Sequence, residues 1–232
     1  MKAGIAVRML CLALCGLSLS SCKAPKYTAY TSLRGDFRCL APWGWDVMTD
    51  AEGSHYANTT FIGPFEPDFF LGAPSLSVRW YSYSAPHRLR GGTLEVYSSA
   101  DDYVRQVLPS VYGPDRIMRQ PPRLIELPAA GRKGENFVVI SPAPAPEGAR
   151  WGTAIDPRSN QPFNLRQHAY VVVPMKTGFY AIVYPATRDG FGAYEPQFNE
   201  LVNTFEPLAD GPGGPKLAAP GGVKIAAAKP FR

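Results

Sequence analysis

Histidine is scarce in this chain of 232 residues, which contains only His55, His87 and His168. Histidine is the usual general base and a common metal ligand at neutral pH. No two of the three lie within five residues of each other, and none belongs to an HExxH or HxH pattern. The GxSxG motif of serine hydrolases is absent as well. We therefore predict no catalytic residues, no metal site, no cofactor and no enzymatic activity.

An excess of positive charge is also absent from the central part of the chain. The formal net charge is +5, but two basic residues and no acid precede Lys23, and four basic residues against one acid follow Leu208. The stretch Lys23–Leu208 therefore contains 18 basic and 18 acidic residues. A protein that binds nucleic acid needs a basic surface to neutralise phosphates. We therefore expect no nucleic-acid partner.

No hydrophobic run reaches the roughly 20 residues that a membrane-spanning helix requires. The run that opens the chain, Met9–Leu19, follows the basic residues Lys2 and Arg8 and leads into Leu19-Ser-Ser-Cys22. A positive segment, a short apolar segment and a box of aliphatic, small, small and cysteine residues come in that order. This arrangement resembles the leader of bacterial lipoprotein precursors.

The lipoprotein resemblance implies both an address and a tether. Residues 1–21 are then a signal peptide, and residues 22–35 are the lipidated N-terminus and a spacer. Lipoproteins carry a diacylglycerol on the cysteine sulfur, here Cys22, and usually an acyl chain on its amine, which together make anchoring permanent. We therefore expect a membrane partner through this lipid and a location in the bacterial cell envelope, on the periplasmic side or at the cell surface. Ordinary secretion and an uncleaved anchor are the alternatives.

Cysteine usage leaves no pair for a disulfide in the folded part. Removal of the leader leaves Cys22 and Cys39, and an acylated Cys22 cannot pair. Cys39 lies in the short apolar stretch Phe37–Leu40, where a small buried hydrophobe is expected. An intermolecular disulfide and a reactive thiol are the alternatives.

Short apolar segments in the central part of the chain predict an antiparallel sheet. Leu76, Val78 and Trp80 alternate with more polar residues, which is the period of a strand with one polar face. Tyr170–Val173 and Phe179–Tyr184 flank a turn and predict a hairpin. Because Phe179–Tyr184 is apolar on both faces, we expect a layer of structure on each side of the sheet.

Two further stretches have the period of a helix. Ser99 and Asp102 have the spacing of a capping box, and the helix that they begin is predicted to end at Pro109. A second helix is predicted to contain Pro196 in its first turn and to stop before Pro207. The predicted buried stripes are Ala100, Tyr103, Val104, Val107 and Leu108 in the first helix, and Phe198, Leu201, Val202 and Phe205 in the second.

Proline and glycine mark two irregular segments. Pro142–Pro162 is a long proline-rich connection of the kind that is usually functional or mobile. It carries Trp151, which either folds back on the domain or contacts a partner. Residues 209–232 are rich in proline, glycine, alanine and lysine and are predicted to be a disordered tail.

A group of aromatic residues is the best candidate for a contact surface. Tyr81 and Tyr83 fall on the face of their strand opposite Leu76, Val78 and Trp80. If a helix covers that face only in part, both tyrosines are exposed, and tyrosine is favoured at interfaces. The alternative is that they pack beneath the helix. We therefore predict Tyr81, Tyr83 and Trp151 as partner-binding residues.

The order of these elements resembles the PsbP/Mog1-like domain. The resemblance begins with Phe37-Arg-Cys-Leu-Ala-Pro-Trp-Gly-Trp45 and Phe61-Ile-Gly-Pro64, and it continues through the first helix, the hairpin and the closing helix. It implies an α/β (α+β) fold over residues 36–208, with a mostly antiparallel central sheet flanked by helices in an α/β/α sandwich. It also implies a non-catalytic role in protein binding or assembly.

The sequence thus favours a lipid-anchored envelope protein that binds an unknown protein partner or steadies a membrane assembly. A small-molecule carrier with a cleft under Pro142–Pro162 is the alternative from another class. An envelope hydrolase would need the histidines to meet a carboxylate in one pocket.

Overall fold

The architecture is a large antiparallel sheet with a helix on each face. The computed structural model describes residues 26–65, 73–88, 94–113, 115–144, 153–155, 157 and 160–217. Within these residues the strands are β1 Tyr27–Thr31, β2 Phe37–Pro42, β3 Asp46–Glu52, β4 Tyr56–Ile62, β5 Ser75–Ser82, β6 His87–Arg88, β7 Leu94–Glu95, β8 Ile117–Leu127, β9 Arg132–Pro144, β10 Thr153–Ile155, β11 Pro162–Pro174, β12 Gly178–Thr187 and β13 Glu206–Pro207, and the helices are α1 Ala100–Tyr112 and α2 Phe191–Thr204.

The strands form one large sheet, one small sheet and a short pair. The large sheet has the order β3-β4-β5-β12-β11-β9-β8, with β10 also paired to β11. The small sheet has the order β1-β2-β13, and β6 pairs with β7. All of these neighbours are antiparallel. The predicted fold class, a mostly antiparallel sheet flanked by helices, is confirmed, and so is the hairpin of β11 and β12.

Alternating side chains of β12 build two hydrophobic cores. Phe179 and Ala181 point to the face that α1 covers, whereas Tyr180 and Ile182 point to the face that α2 and the small sheet cover. Successive strand residues point to opposite faces, so a strand that is apolar throughout requires both layers. The two-layered cover expected from the sequence is therefore present.

Helix α1 begins as predicted but ends later. The Ser99 hydroxyl accepts the Asp102 amide N–H at 3.0 Å, and the Asp102 carboxylate accepts the Ser98 amide N–H at 3.0 Å. The predicted end at Pro109 is wrong, since the helix continues to Tyr112 and stops at Gly113, whose φ is +66°. Proline cannot donate a backbone hydrogen bond, and the buried contacts of Tyr112 in the last turn offset the stability that is lost with it.

Helix α2 also contains its proline rather than starting with it. The helix begins at Phe191, so Pro196 lies inside it and not in the first turn as predicted. Phe191 is buried, and its ring centroid lies 4.9 Å from that of Tyr184. This packing draws the first turn of the helix onto β12. Phe198 lies on the predicted buried stripe and is 3% exposed.

The folded domain begins before the predicted boundary at residue 36. Strand β1 pairs with β2 from Tyr27 opposite Pro42 to Thr31 opposite Arg38. The ring of Tyr30 meets that of Phe61 edge-on at 5.0 Å, which ties β1 to the core of the large sheet. The segment predicted as a spacer therefore contributes a strand, because Tyr30 can bury its ring there.

The first part of the predicted disordered tail is ordered on the domain. Ala209 and Asp210 are buried, and Ala209 forms a β-bridge with Lys216. The Asp210 carboxylate accepts the amide N–H of Lys176 at 2.9 Å, in the turn between β11 and β12. Composition predicted disorder here, but an acid that satisfies the amides of a turn anchors residues 209–217. The remaining tail, residues 218–232, lies outside the described residues.

The connection Pro142–Pro162 is shorter than predicted. Strand β9 runs to Pro144, and β10 pairs with the start of β11, with Thr153 opposite Asn164. Both the first residues of this connection and Thr153–Ile155 therefore form backbone hydrogen bonds within the large sheet. Trp151 lies outside the described residues. Among the helices of the described residues, none combines the length and the hydropathy that crossing a bilayer would require.

Candidate functional site

A group of polar side chains shares the sheet face on which α1 packs. Tyr170 of β11 lies in the core beneath α1, so strand alternation places His168, Arg166 and Asn164 on the same face. Tyr81 of β5 lies in that core too, which places Arg79 on this face. The last turn of α1 adds Tyr112. We call this set the arginine cluster: Arg79, Tyr112, Asn164, Arg166, His168 and Tyr170.

Tyr112 joins α1 to the cluster through its hydroxyl. The hydroxyl lies 2.6 Å from His168 Nδ1 and makes a short hydrogen bond to the hydroxyl of Tyr170. Burial raises the pKa of Tyr112 well above its usual value, so the phenol stays protonated. Tyr112 can therefore donate one hydrogen bond and accept another, and it fixes the orientation of the His168 ring.

His168 is held in its neutral form. Burial, followed by the charges of Arg166 and Arg79, lowers the pKa of His168 from 6.5 to about 3. Its Nε2 atom is buried and has no hydrogen-bond partner. A neutral imidazole with one unused nitrogen is a hydrogen-bonding group for a ligand, but at neutral pH it is a very weak base.

The two arginines of the cluster carry unbalanced positive charge. The ion pairs found within the described residues are Arg38 with Glu206 and Lys133 with Glu126, and neither involves the cluster. Burial opposes the charged form of Arg79, but Tyr81 and its neighbouring tyrosines raise the pKa, so the guanidinium stays charged. Burial lowers the pKa of Arg166, and Tyr112 partly opposes that shift.

Several polar atoms of the cluster are buried without a partner. Asn164 is 3% exposed, and neither its amide nitrogen nor its amide oxygen has a hydrogen-bond partner. The Nε atoms of Arg79 and Arg166 are also buried and also lack a hydrogen-bond partner. Each buried polar group left unpaired costs about 1–3 kcal/mol. Four residues on one face therefore have buried polar atoms that a ligand or a water molecule can pair.

The neutral state of His168 predicts a pH dependence of stability. The histidine takes up a proton near pH 6.5 when unfolded but only near pH 3 when folded, so its contribution is full above pH 6.5 and is lost as the pH falls toward 3. Between pH 7 and pH 5 we expect the wild type to lose up to about 2 kcal/mol that the His168→Gln variant does not lose. Urea unfolding at both pH values measures this, and an equal loss in the two proteins would contradict it.

The tyrosines predicted as a contact surface do not stand together at the surface. Tyr81 is 4% exposed and stacks on Phe179 at a centroid distance of 5.2 Å, so of the two alternatives given above it packs beneath the helix. The reason is that Tyr97, just before α1, and Tyr103 of α1 pack against its ring, at centroid distances of 5.6 and 5.3 Å. Tyr83 is partly buried and packs against the same core. Any role of Tyr83 and Trp151 in partner binding stays a prediction.

Other residues considered from the sequence lie away from the arginine cluster. Cys39 is 2% exposed, and burial raises the pKa of its thiol to about 12, as a small buried hydrophobe requires. His55 is exposed in the turn between β3 and β4. Cys22 lies outside the described residues, so its lipidation stays a prediction. Within the residues that the structure describes, no three His, Cys, Asp or Glu side chains are placed to hold a metal ion.

A cavity of about 160 Å³ opens beside the turn between β1 and β2. Its walls include Asp36, Asp50 and Trp80, and none of its lining residues comes from Pro142–Pro162. Binding sites for drug-sized molecules have volumes of about 300–1,000 Å³. This cavity is too small for such a ligand and is separate from the cleft that the carrier hypothesis predicted.

The sequence carries a signal for part of the arginine cluster that belongs to none of the motifs described above. In Phe163-Asn-Leu-Arg-Gln-His-Ala-Tyr170, polar residues recur at every second position and lead into an apolar strand. That period puts Asn164, Arg166 and His168 on one face. Arg79 and Tyr112 join them only through the tertiary fold, since they are far away along the chain.

Comparison with known proteins found likenesses in structure alone. No family model matches the chain, and no curated protein matches it. The solution structure of the cyanobacterial PsbP protein (CyanoP) from Synechocystis sp. PCC 6803 is similar with a TM-score of 0.43 and 12% identity over 82% of this chain and 97% of that one. A crystal structure from Bacteroides thetaiotaomicron VPI-5482 gives a TM-score of 0.39 and 14% identity over 79% of this chain and 49% of that one.

A PsbP-like protein is therefore among the structural neighbours of this chain. The chain spans about half the length of the Bacteroides protein.

Proposed function

We propose that this chain is a lipid-anchored protein of the bacterial envelope that works by binding and not by catalysis. In this proposal the tether is Cys22, and the binding site is the arginine cluster. The cluster receives an anionic group, a carboxylate or a phosphate, from a partner protein or from a small molecule.

The position of the folded domain supports the tether. The described chain begins at Lys26, four residues after Cys22. Four extended residues reach at most about 14 Å. A lipid on Cys22 would therefore hold the domain directly against the membrane surface, where a binding site is available to membrane-bound partners.

The chemistry of the candidate nucleophile and base supports binding over catalysis. The Cys39 thiol has a pKa of about 12 and is buried, so it is neither ionised nor accessible. His168 has a pKa of about 3, and its Nδ1 is engaged by Tyr112. The two residues also project from different sheets, so they do not form a nucleophile–base pair.

The observation that carries the proposal is the pairing of excess positive charge with unpartnered polar atoms in one cluster. Guanidinium groups bind carboxylate and phosphate through two parallel hydrogen bonds. Arg79 and Arg166 supply this charge, and neither has an ion-pair partner within the described residues. The Asn164 amide is two residues from Arg166 on the same face of β11, so it can add a hydrogen bond to a ligand of Arg166. An anion bound beside His168, where the charges of both Arg166 and Arg79 act, would satisfy part of this set.

Isothermal titration tests the binding site with defined probes. We expect inorganic phosphate or acetate to bind the detergent-solubilised full chain, and the Arg79→Gln/Arg166→Gln double variant to lose at least tenfold in affinity. Arg188→Gln is the matched control, because Arg188 is exposed on the loop after β12. Equal affinity in the double variant and the control, or no binding of either probe, would overturn the site.

Crosslinking in intact cells tests which molecule supplies the anionic group. A partner protein would be captured by the wild type and by Arg188→Gln but not by the double variant. Native mass spectrometry of the same preparation would show a bound small molecule if the chain is a carrier. Mass spectrometry of the mature N-terminus tests the tether separately, and an unmodified Cys22 thiol would overturn it.

A further inference from the structure

The chain enters the folded domain beside an exposed tryptophan. The amide N–H of Trp43 donates to the carbonyl of Lys26 at 3.0 Å, and Tyr27 pairs with Pro42. Trp43 is 55% exposed although it lies next to the half-buried Trp45. An exposed tryptophan therefore sits where the segment from Cys22 joins the domain.

A second large aromatic side chain emerges at the same end of the sheet. Ile62 pairs with Asp46, and a methyl group added to Gly63 would lie 2.7 Å from the Trp45 ring. The segment after β4 therefore runs beside the turn that carries Trp43. Phe65 lies on this segment and is 69% exposed.

The length of chain before Lys26 places both side chains close to the membrane surface. If Cys22 is acylated, its sulfur lies at the boundary of the hydrocarbon, and Lys26 is at most about 14 Å away. The headgroup layer of one leaflet is about 5–8 Å thick. Trp43, hydrogen-bonded beside Lys26, can therefore reach the headgroup layer without any rearrangement of the domain.

The chemistry of this end fits a lipid surface. Tryptophan is enriched at the interface of membranes because its ring is apolar and its N–H is polar. Lys26 is exposed next to it, and Lys23 lies three residues before, so the entry point is positive. Positive groups near the surface are attracted to anionic lipids.

We propose that Trp43 and Phe65 insert into the headgroup region of the bilayer and fix the orientation of the domain on the membrane. This inference rests on the proposed lipid anchor. The lipid supplies the attachment, and the two aromatic side chains decide which end of the sheet faces the membrane.

Spin labels on single cysteines test this orientation in the full-length lipoprotein. The labels are placed by Trp43→Cys or Phe65→Cys, since Cys39 is 2% exposed and an acylated Cys22 does not react. Leu33→Cys is the matched control, because Leu33 is 83% exposed and lies at the other end of β1. Each protein is reconstituted in vesicles of phosphatidylethanolamine and phosphatidylglycerol. Electron paramagnetic resonance then measures collisions with dissolved oxygen and with a water-soluble nickel chelate.

We expect the ratio of oxygen to nickel collisions at positions 43 and 65 to exceed that at position 33 by several fold. Equal ratios at the three positions, in protein that floats with the vesicles, would overturn the orientation and leave the anchor intact. Protein that does not float with the vesicles would overturn the anchor, and with it the basis of this inference.

Discussion

Replacing Gly211 by alanine is expected to destabilise the domain by about 2–4 kcal/mol. A Cβ atom on Gly211 would lie 2.2 Å from the ring of Trp80, and the residue has a φ of +83°. Trp80 is 2% exposed, and its indole N–H donates to the carbonyl of Ser54 at 3.2 Å, so the ring cannot move away without breaking this contact. The variant therefore suffers both a steric clash and backbone strain.

Gly213→Ala separates these two effects. Gly213 also has a positive φ, +73°, but an added Cβ would meet no atom within 4 Å. We expect only the backbone penalty there, about 1 kcal/mol. Urea unfolding of both variants gives the comparison. Equal losses would mean that Gly211 does not press on Trp80 and that the ordered tail contributes little to the core.

Replacing Asp36 by alanine is expected to cost about 3 kcal/mol. Asp36 is 3% exposed, and its carboxylate accepts hydrogen bonds from the hydroxyls of Ser32 and Tyr180, the latter at 2.9 Å. Alanine removes the carboxylate to which both hydroxyls donate and leaves the Tyr180 hydroxyl only the longer contact to the backbone carbonyl of residue 36, at 3.4 Å. Because Tyr180 belongs to β12 and Ser32 to the turn after β1, this acid connects the small sheet to the large one.

Two variants serve as controls for the Asp36 prediction. Tyr180→Phe removes one donor and leaves the carboxylate with the other, so we expect a loss of about 1–1.5 kcal/mol. Asp46→Ala removes an exposed acid from β3 and should change stability by less than about 0.5 kcal/mol. The double variant of Asp36 and Tyr180 should lose less than the sum of the single losses. Additive losses would show that the two side chains do not interact.

The regular parts of the fold could be predicted because their signals are local. Two apolar segments and the turn between them predicted the hairpin of β11 and β12. The spacing of Ser99 and Asp102 predicted the cap of α1. Period-two alternation also required a cover on both faces of the sheet. These features depend on residues that are close together in the sequence.

The features that could not be predicted depend on contacts between distant residues. Pro109 predicted the end of a helix, but the helix continues to Tyr112. The Tyr112 hydroxyl forms hydrogen bonds with His168 and Tyr170 of β11, and these contacts stabilise the last turn. The start of the tail looked disordered by composition, yet Asp210 finds the amides of a distant turn. The arginine cluster was missed for the same reason, since only the fold brings Arg79 toward Arg166.

The strand register has a consequence for how a ligand would reach the arginine cluster. Strands β5 and β11 run in the same direction, and Ser77 aligns through Val183 with Tyr170, so His168 lies level with Ser75, the partner of Ile62. The unpartnered groups of β11, His168, Arg166 and Asn164, thus lie toward the end of the sheet from which the chain continues toward Phe65, whereas Arg79 starts level with Val172. If that end of the sheet faces the membrane, the positive site faces the membrane as well. A ligand or partner would then reach the site from the lipid bilayer and not from the aqueous phase.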